Sequence, residues 1–82
     1  MRILTAGKQL LMDSDSIFKV EVDSYPYDGK NKFYVRAEFY TGKSLQVSES
    51  FDSREEAVAK VEHFLEALDR YDINQDKISY KF

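Results

Sequence analysis

The sequence predicts an α+β fold: a three- to four-stranded antiparallel sheet with one C-terminal helix packed on one face, in the order βββα. Three successive segments between Ile17 and Phe51 alternate apolar and polar residues, as half-buried strands do. Residues 53 to about 71 repeat apolar residues at steps of three and four, as an amphipathic helix does. The 82 residues provide one modest core, so we expect residues 1–82 to form a single domain.

The three predicted strands, residues 17–25, 32–40 and 44–51, each divide their side chains between two faces. The side chains expected to face the helix are Phe18, Val20, Val22, Phe33, Val35, Ala37, Phe39, Leu45, Val47 and Phe51. Those expected on the polar face are Lys19, Glu21, Asp23, Tyr34, Arg36, Glu38, Tyr40, Ser44, Gln46, Ser48 and Ser50. Residues 26–31 predict a long hairpin loop, and residues 41–43 predict a tight turn in which Gly42 takes a positive φ.

The two ends of the chain are less regular. Residues 3–12 favour either one more strand around residues 8–12 or a frayed arm, and Gly7 argues against a helix there. Residues 77–82 alternate Ile78, Tyr80 and Phe82, which is typical of a short strand or of an extended tail that packs its rings on the domain.

The helix has the clearest local signals. Ser53 followed by Glu56 is a capping box, and Asp52 with Glu55 repeats the pattern one residue earlier. The stripe expected to pack on the sheet consists of Ala57, Val58, Val61, Phe64, Leu65, Leu68 and Tyr71. Burying its large side chains at ~1.5–3 kcal/mol each gives roughly 10 kcal/mol, whereas a surface pair such as Glu56 with Lys60 contributes a few tenths. Packing on the sheet therefore holds this helix in place.

Composition excludes several classes of protein. The chain has no cysteine, so disulfides, thiol chemistry and cysteine-based zinc sites are excluded. No segment approaches the ~20 apolar residues of a membrane span. Residues 1–12 also lack the apolar run and small-residue cleavage site of a signal peptide. We therefore expect a cytoplasmic protein that has no membrane partner.

No arrangement of residues indicates catalysis, a cofactor or a metal. The only histidine, His63, lies in the predicted helix. The sequence shows no nucleophile or orienting carboxylate at a spacing that would indicate a catalytic partner for it. Asp72, Asn74 and Asp76 resemble the start of an EF-hand loop, but the glycine and the final glutamate of that loop are missing. The three glycines are isolated, so no phosphate-binding loop is present. We expect no enzyme, no cofactor and no metal site.

The polar face of the sheet is the first candidate for binding a partner. Tyrosines on a flat sheet can anchor a protein partner or stack on bases. The candidate residues on this face are Tyr25, Tyr34, Arg36, Tyr40 and Lys19. Carboxylates outnumber cations on this face, so a nucleic acid is possible but disfavoured. Ordinary cross-strand pairing on a solvated face remains the alternative.

The outer face of the helix is the second candidate. Residues 53–72 contain three cations and six carboxylates, and this difference accounts for the whole net charge of −3. The candidate residues are Glu55, Glu62, Glu66 and Asp69. Such a surface could contact a basic partner or imitate the charge of a nucleic acid, although most acidic helix faces are only solvated.

The segment 32–68 resembles two known ββα layouts. The junction Ser48-Glu49-Ser50-Phe51-Asp52-Ser53-Arg54-Glu55-Glu56-Ala57 is similar to the strand-to-helix joint of AP2-like and integrase arm-type DNA-binding domains. It also resembles YegP-type domains, in which a strand, a glycine turn, a second strand with Ser-Glu and a helix follow one another. The first resemblance implies DNA binding through basic sheet residues, of which Arg36 is the main candidate in this chain.

Three functions remain open from the sequence. The leading hypothesis is a small non-enzymatic module that binds another protein, or itself, through the sheet face or a sheet edge. The first alternative is a DNA-binding arm-like domain that uses Lys19, Arg36, Lys30, Lys32 and Lys43. The second alternative is an inhibitor from a phage or mobile element that acts through the acidic helix face.

Overall fold

The computed structural model describes residues 1–8, 10–70 and 78–82. Its strands form two small sheets, and one helix packs on a sheet, which confirms the predicted α+β class. The elements in chain order are β1 (Arg2–Leu4), β2 (Leu11–Asp13), β3 (Ile17–Tyr27), β4 (Lys30–Phe39), β5 (Ser44–Gln46), α1 (Arg54–Asp69) and β6 (Ile78–Lys81). Within the described ranges, no helix is long and apolar enough to cross a membrane.

The three predicted strands form one antiparallel sheet in the order β3-β4-β5, called the hairpin sheet below. The predicted long loop over 26–31 is wrong, because β3 and β4 continue to Tyr27 and Lys30 and pair up to that point. The two turn residues have positive φ, 52° for Asp28 and 74° for Gly29. That combination gives a two-residue turn whose twist matches the strands it joins.

The start of β3 contains a β-bulge that strict alternation does not predict. Ile17 pairs with Phe39 and Lys19 pairs with Glu38, so Ile17 and Phe18 together oppose one residue of β4. A bulge inserts one extra residue and changes which side chains face inward. Ile17 therefore packs against the core. The expected burial of Phe18 under the helix is wrong, because Phe18 is 59% exposed.

The third predicted strand is shorter than residues 44–51. β5 ends at Gln46, and the chain rejoins the sheet only at Phe51, which forms an isolated bridge with Phe33. Between these points Ser48 is 2% exposed, so its predicted place on the polar face is wrong. Its hydroxyl turns inward and accepts the backbone N–H of Val35 at 2.8 Å. A side chain thus replaces a backbone carbonyl in the ladder.

The helix confirms the predicted capping box. Ser53 Oγ accepts the backbone N–H of Glu56 at 3.2 Å and also lies 3.2 Å from its carboxylate. Phe64 is 1% exposed against the core, whereas the adjacent Leu65, predicted in the same stripe, is 51% exposed. The other end of that stripe, Tyr71, lies outside the described residues.

The two ends of the chain form a second sheet in the order β2-β1-β6. β1 pairs antiparallel with β2 and parallel with β6, so β6 is a strand and not an extended tail. β1 is a strand that the sequence did not predict. Gly7, with φ of 77°, lies in the short turn between β1 and β2.

The core consists of two groups of buried side chains that are bridged by shared neighbours. Phe64 of α1 packs with Ile3 of β1 and with Tyr80 of β6, and a separate group of buried residues centres on Val35 of β4. The side chains that contact both groups are Met12, Ile17, Val20 and Phe82. The helix therefore packs on the apolar face of the hairpin sheet.

Candidate functional site

The charged residues on the polar face form a continuous ion-pair network. Arg36 hydrogen-bonds Glu21, and its Nη1 lies 3.5 Å from Oδ2 of Asp23. Lys19 Nζ lies 3.7 Å from Glu21 Oε2 and 3.6 Å from Glu38 Oε2. The hydrogen bond from Arg36 lowers the pKa of Glu21, because it favours the charged carboxylate. Both cations predicted to bind a partner are therefore already shared among three carboxylates.

The tyrosines of this face divide between its two ends. The rings of Tyr25 and Tyr34 lie 5.9 Å apart near the β3–β4 turn, and the Tyr25 hydroxyl lies 2.9 Å from Ser50 Oγ. Tyr40 lies at the opposite end, where its ring meets Phe18 edge-on at 5.5 Å. The structure thus brings two of the tyrosines together and separates the third from them. As a surface that binds a partner, the five sheet-face residues stay a prediction.

The remaining cations of the DNA-binding alternative lie near the turns. Lys32 pairs with Asp52, which raises the pKa of the ammonium and lowers that of the carboxyl. Lys32 Nζ also lies 5.7 Å from the centre of the Tyr27 ring. Lys30 and Lys43 are exposed. Three of the five cations of this alternative are therefore paired with carboxylates, which opposes their use as ligands of phosphate.

The acidic helix face is present as a solvent-exposed stripe. Its four carboxylates, at steps of seven, four and three residues, lie on one side of α1: Glu55, Glu62, Glu66 and Asp69. The capping acid Glu56 belongs to the helix start and not to this stripe. The stripe is a surface with one sign of charge, and its role in binding a partner stays a prediction.

His63 lies beside a buried tyrosine. Its Nδ1 lies 3.1 Å from the hydroxyl of Tyr80, whose pKa is raised by burial. Tyr80 also meets Phe64 edge-on at 5.2 Å, so these contacts tie α1 to β6. No group of three or more His, Asp or Glu side chains in ranges 1–8, 10–70 and 78–82 is placed to hold a metal ion. The loop-like residues 72–76 lie outside the described residues.

Within residues 1–8, 10–70 and 78–82, β3 is an edge strand of the hairpin sheet and no other strand pairs with its outer side, which is called the open edge below. Alternate residues of an antiparallel strand direct their backbone groups to opposite neighbours. Val35 of β4 bonds with the chain that follows β5, so the next residue, Arg36, faces β3 and pairs with Glu21. The residues on either side of Glu21, which are Val20 and Val22, therefore direct their N–H and C=O groups away from the sheet.

This open edge is short and is closed at both ends. Toward the turn, Asp23 Oδ1 accepts the backbone N–H of Ser24 at 2.8 Å, and Pro26 has no N–H to offer. At the other end, the bulge at Ile17 and Phe18 interrupts the regular strand. Such features prevent uncontrolled pairing along an edge strand. Between them, residues 19–23 remain available to another strand.

An apolar groove runs beside the open edge, between β3 and α1. It encloses about 420 Å³. The apolar residues that line it are Ile17, Phe18, Val20, Val61, Phe64, Leu65 and Leu68. Two of them, Phe18 and Leu65, are more than half exposed. Exposed apolar side chains next to unpaired backbone groups are typical of a surface that accepts an added strand.

The periodic patterns assigned both Phe18 and Leu65 to the core, so the sequence did not reveal this groove. Each is one of two adjacent large apolar residues, after Ile17 in β3 and after Phe64 in α1. Because adjacent positions of a strand or a helix point in different directions, only one residue of each pair can be fully buried. The doubled apolar residues were the signal that could have located the groove.

Comparison with models of known protein families, with curated proteins and with solved structures found no match. The resemblance of residues 32–68 to AP2-like, integrase arm-type and YegP-type layouts therefore stays a prediction.

Proposed function

We propose that this chain is a small non-enzymatic protein-binding module whose partner adds an extended segment to the open edge of β3. The observation that carries the proposal is the position of the outward backbone groups of Val20 and Val22 beside the exposed side chains of Phe18 and Leu65. In this mode of recognition, main-chain hydrogen bonds provide affinity and side-chain pockets provide specificity.

The edge supports this proposal better than the sheet face does. On the sheet face, a partner would have to displace the carboxylates that hold Arg36 and Lys19. At the edge, the partner replaces only water on the backbone and on the two exposed apolar side chains. Removing apolar surface from water contributes roughly 25 cal/mol per Å², and neither the backbone groups nor these two side chains are held in an ion pair.

Photo-crosslinking in the native host tests the proposal. A photoreactive p-benzoyl-phenylalanine replaces Leu65, which lines the groove, or Lys43, an exposed residue of the β4–β5 turn. We expect irradiation to give a discrete covalent adduct with a protein from position 65 and not from position 43. We also expect Phe18→Lys to remove that adduct, because a charge then lies in the groove.

Two outcomes would count against the proposal. If position 65 gives no discrete adduct, the groove has no protein occupant in the host. If position 43 gives the same adduct with equal yield, the contact is not specific to the groove. Circular dichroism of the variants at positions 18 and 65 establishes that each one is folded before its result is interpreted.

A further inference from the structure

We propose that the segment added at the open edge is β3 of a second copy of this chain, paired antiparallel about a two-fold axis through Val20. The inference rests on the proposed function, because it names the occupant of the same edge. An interface of this kind is self-complementary, since the same surface patch contributes from both copies.

The open stretch of edge leaves few registers for such a pairing. Val20 and Val22 are the residues that direct both backbone groups outward, and the N–H of Ser24 is already taken by Asp23. An axis through Val22 would place Val20 opposite that occupied Ser24. An axis through Glu21 pairs Val20 with Val22 of the second copy twice. An axis through Val20 pairs the two Val20 residues with each other and places each Val22 opposite Phe18 in the bulge.

Charge selects between these two axes. An axis through Glu21 places Lys19 opposite Asp23 of the second copy, but it also places the Glu21 carboxylate directly opposite its own copy, and directly opposed like charges destabilise a strand pair. An axis through Val20 places Lys19 opposite Glu21 of the second copy, and symmetry repeats this attractive pair. The Lys19 and Glu21 side chains are 46% and 35% exposed, so each can contact a second copy. Of the two registers, only the one through Val20 opposes unlike charges without also opposing like charges.

The apolar residues support the same occupant. Phe18 and Leu65 line the groove that runs along the open edge. When the two β3 strands pair, each copy lies against the groove of the other copy. Each copy then covers the exposed side chains of the other, and the two hairpin sheets become one continuous sheet.

A complementary pair of charge variants tests this register. Lys19→Glu places two carboxylates opposite each other in the homodimer, and Glu21→Lys places two ammonium groups there. Each variant alone should dimerise roughly tenfold or more weakly than the parent chain. When the two variants are mixed, every opposed pair becomes one cation and one anion, so the mixed dimer should recover the parent affinity. Sedimentation velocity measures the four dissociation constants, for the parent chain, each variant alone and the mixed dimer.

A matched pair of variants provides the control. Lys43→Glu and Glu49→Lys change exposed charges away from β3, so these variants should dimerise like the parent chain, alone or mixed. Because the changes at positions 19 and 21 also disturb ion pairs within one copy, urea unfolding confirms that each variant is folded. Leu65→Lys gives an independent test, since it leaves β3 intact and should also weaken the dimer at least tenfold.

The inference is overturned if the parent chain is monomeric at every concentration reached. It is also overturned if a mixture of Lys19→Glu and Glu21→Lys dimerises no more tightly than either variant alone. A dimer that is unaffected by Leu65→Lys would overturn it as well. Crosslinking from position 65 separates this failure from failure of the proposed function. An adduct of twice the chain mass supports a second copy, whereas an adduct with another protein overturns the second copy and leaves the binding module standing.

Discussion

The hydroxyl of Ser48 accepts the backbone N–H of Val35 at 2.8 Å, in a place where a regular strand would offer a carbonyl. The same hydroxyl lies 2.8 Å from the carbonyl of Glu49, to which it donates. Both Val35 and Ser48 are buried, so water cannot replace this bond. The Ser48 side chain thus provides the hydrogen-bond acceptor for the central strand β4 at a point beyond the end of β5.

Ser48→Ala should destabilise the chain by about 1–3 kcal/mol, because it leaves a buried backbone N–H without an acceptor. Urea unfolding followed by circular dichroism measures the change. Ser44→Ala, at an exposed position of β5, should change stability by no more than about 0.5 kcal/mol. Equal effects at the two positions would contradict the structural role assigned to Ser48.

Two adjacent helix positions should differ sharply in their contribution to stability. Phe64→Ala should cost about 3–5 kcal/mol, because it opens a cavity between Ile3 and Tyr80. Leu65→Ala should cost about 1 kcal/mol or less, since that side chain is more than half exposed. Thermal unfolding of both variants gives the comparison. A larger loss for Leu65 would show that the helix is rotated relative to the structure.

The two-residue turn of the β3–β4 hairpin should be sensitive to backbone conformation alone. Nothing lies within 4 Å of a Cβ built on Gly29, so Gly29→Ala meets no clash. Its φ of 74° is nevertheless costly for an L-residue, and we expect a loss of about 1–2 kcal/mol. Gly29→Asn should lose less, because asparagine tolerates this region better. If both variants unfold at the same urea concentration, backbone strain at residue 29 does not explain their loss of stability.

Acid should weaken the fold through two ion-paired carboxylates, Glu21 of the sheet-face network and Asp52, the partner of Lys32. Hydrogen bonds from Arg36 and Lys32 hold the pKa values of Glu21 and Asp52 below their ordinary 4.5 and 3.8. A depressed folded pKa gives stability that is present above the unfolded pKa and is lost as pH falls through the folded one. The urea midpoint should therefore hold down to about pH 4.5 and fall below it.

A neutral variant checks that assignment. Glu21→Gln should already be less stable than the parent chain at pH 7 and should lose less on going to pH 3, because one carboxylate of the network no longer takes up a proton. Glu49→Gln, at an exposed position outside the network, should follow the acid response of the parent chain. A Glu21→Gln variant with the full acid response would assign the loss to other carboxylates.

The elements that the sequence predicted well are those with long, regular periodicity. The helix start at Ser53 and the hairpin strands follow from capping and alternation, which are local properties of the chain. The turn at residues 28–29 was missed because Pro26 indicated a loop, although an edge strand tolerates proline. β1 was missed because three residues are too few to show a period.

The candidate site depended on features that alternation cannot reveal. The bulge that contains the exposed Phe18 interrupts the period and is set by the pairing of Ile17 with Phe39. Which edge of the sheet stays open depends on strand order, and that order is decided by contacts distant in sequence. Alternation predicted which charged residues share the sheet face. Which of them form ion pairs depends on the strand register, which places Glu21 opposite Arg36.

The parallel pairing of β1 with β6 has a consequence for how the chain reaches its fold. Nearly the whole sequence separates these two strands, so a long loop must close, at an entropic cost, before their contacts form. The β3–β4 hairpin joins residues that are close in sequence and can form early. We therefore expect the β3–β4 hairpin to form first during folding. The outer edge of β3 is then exposed to other molecules before the second sheet completes the core.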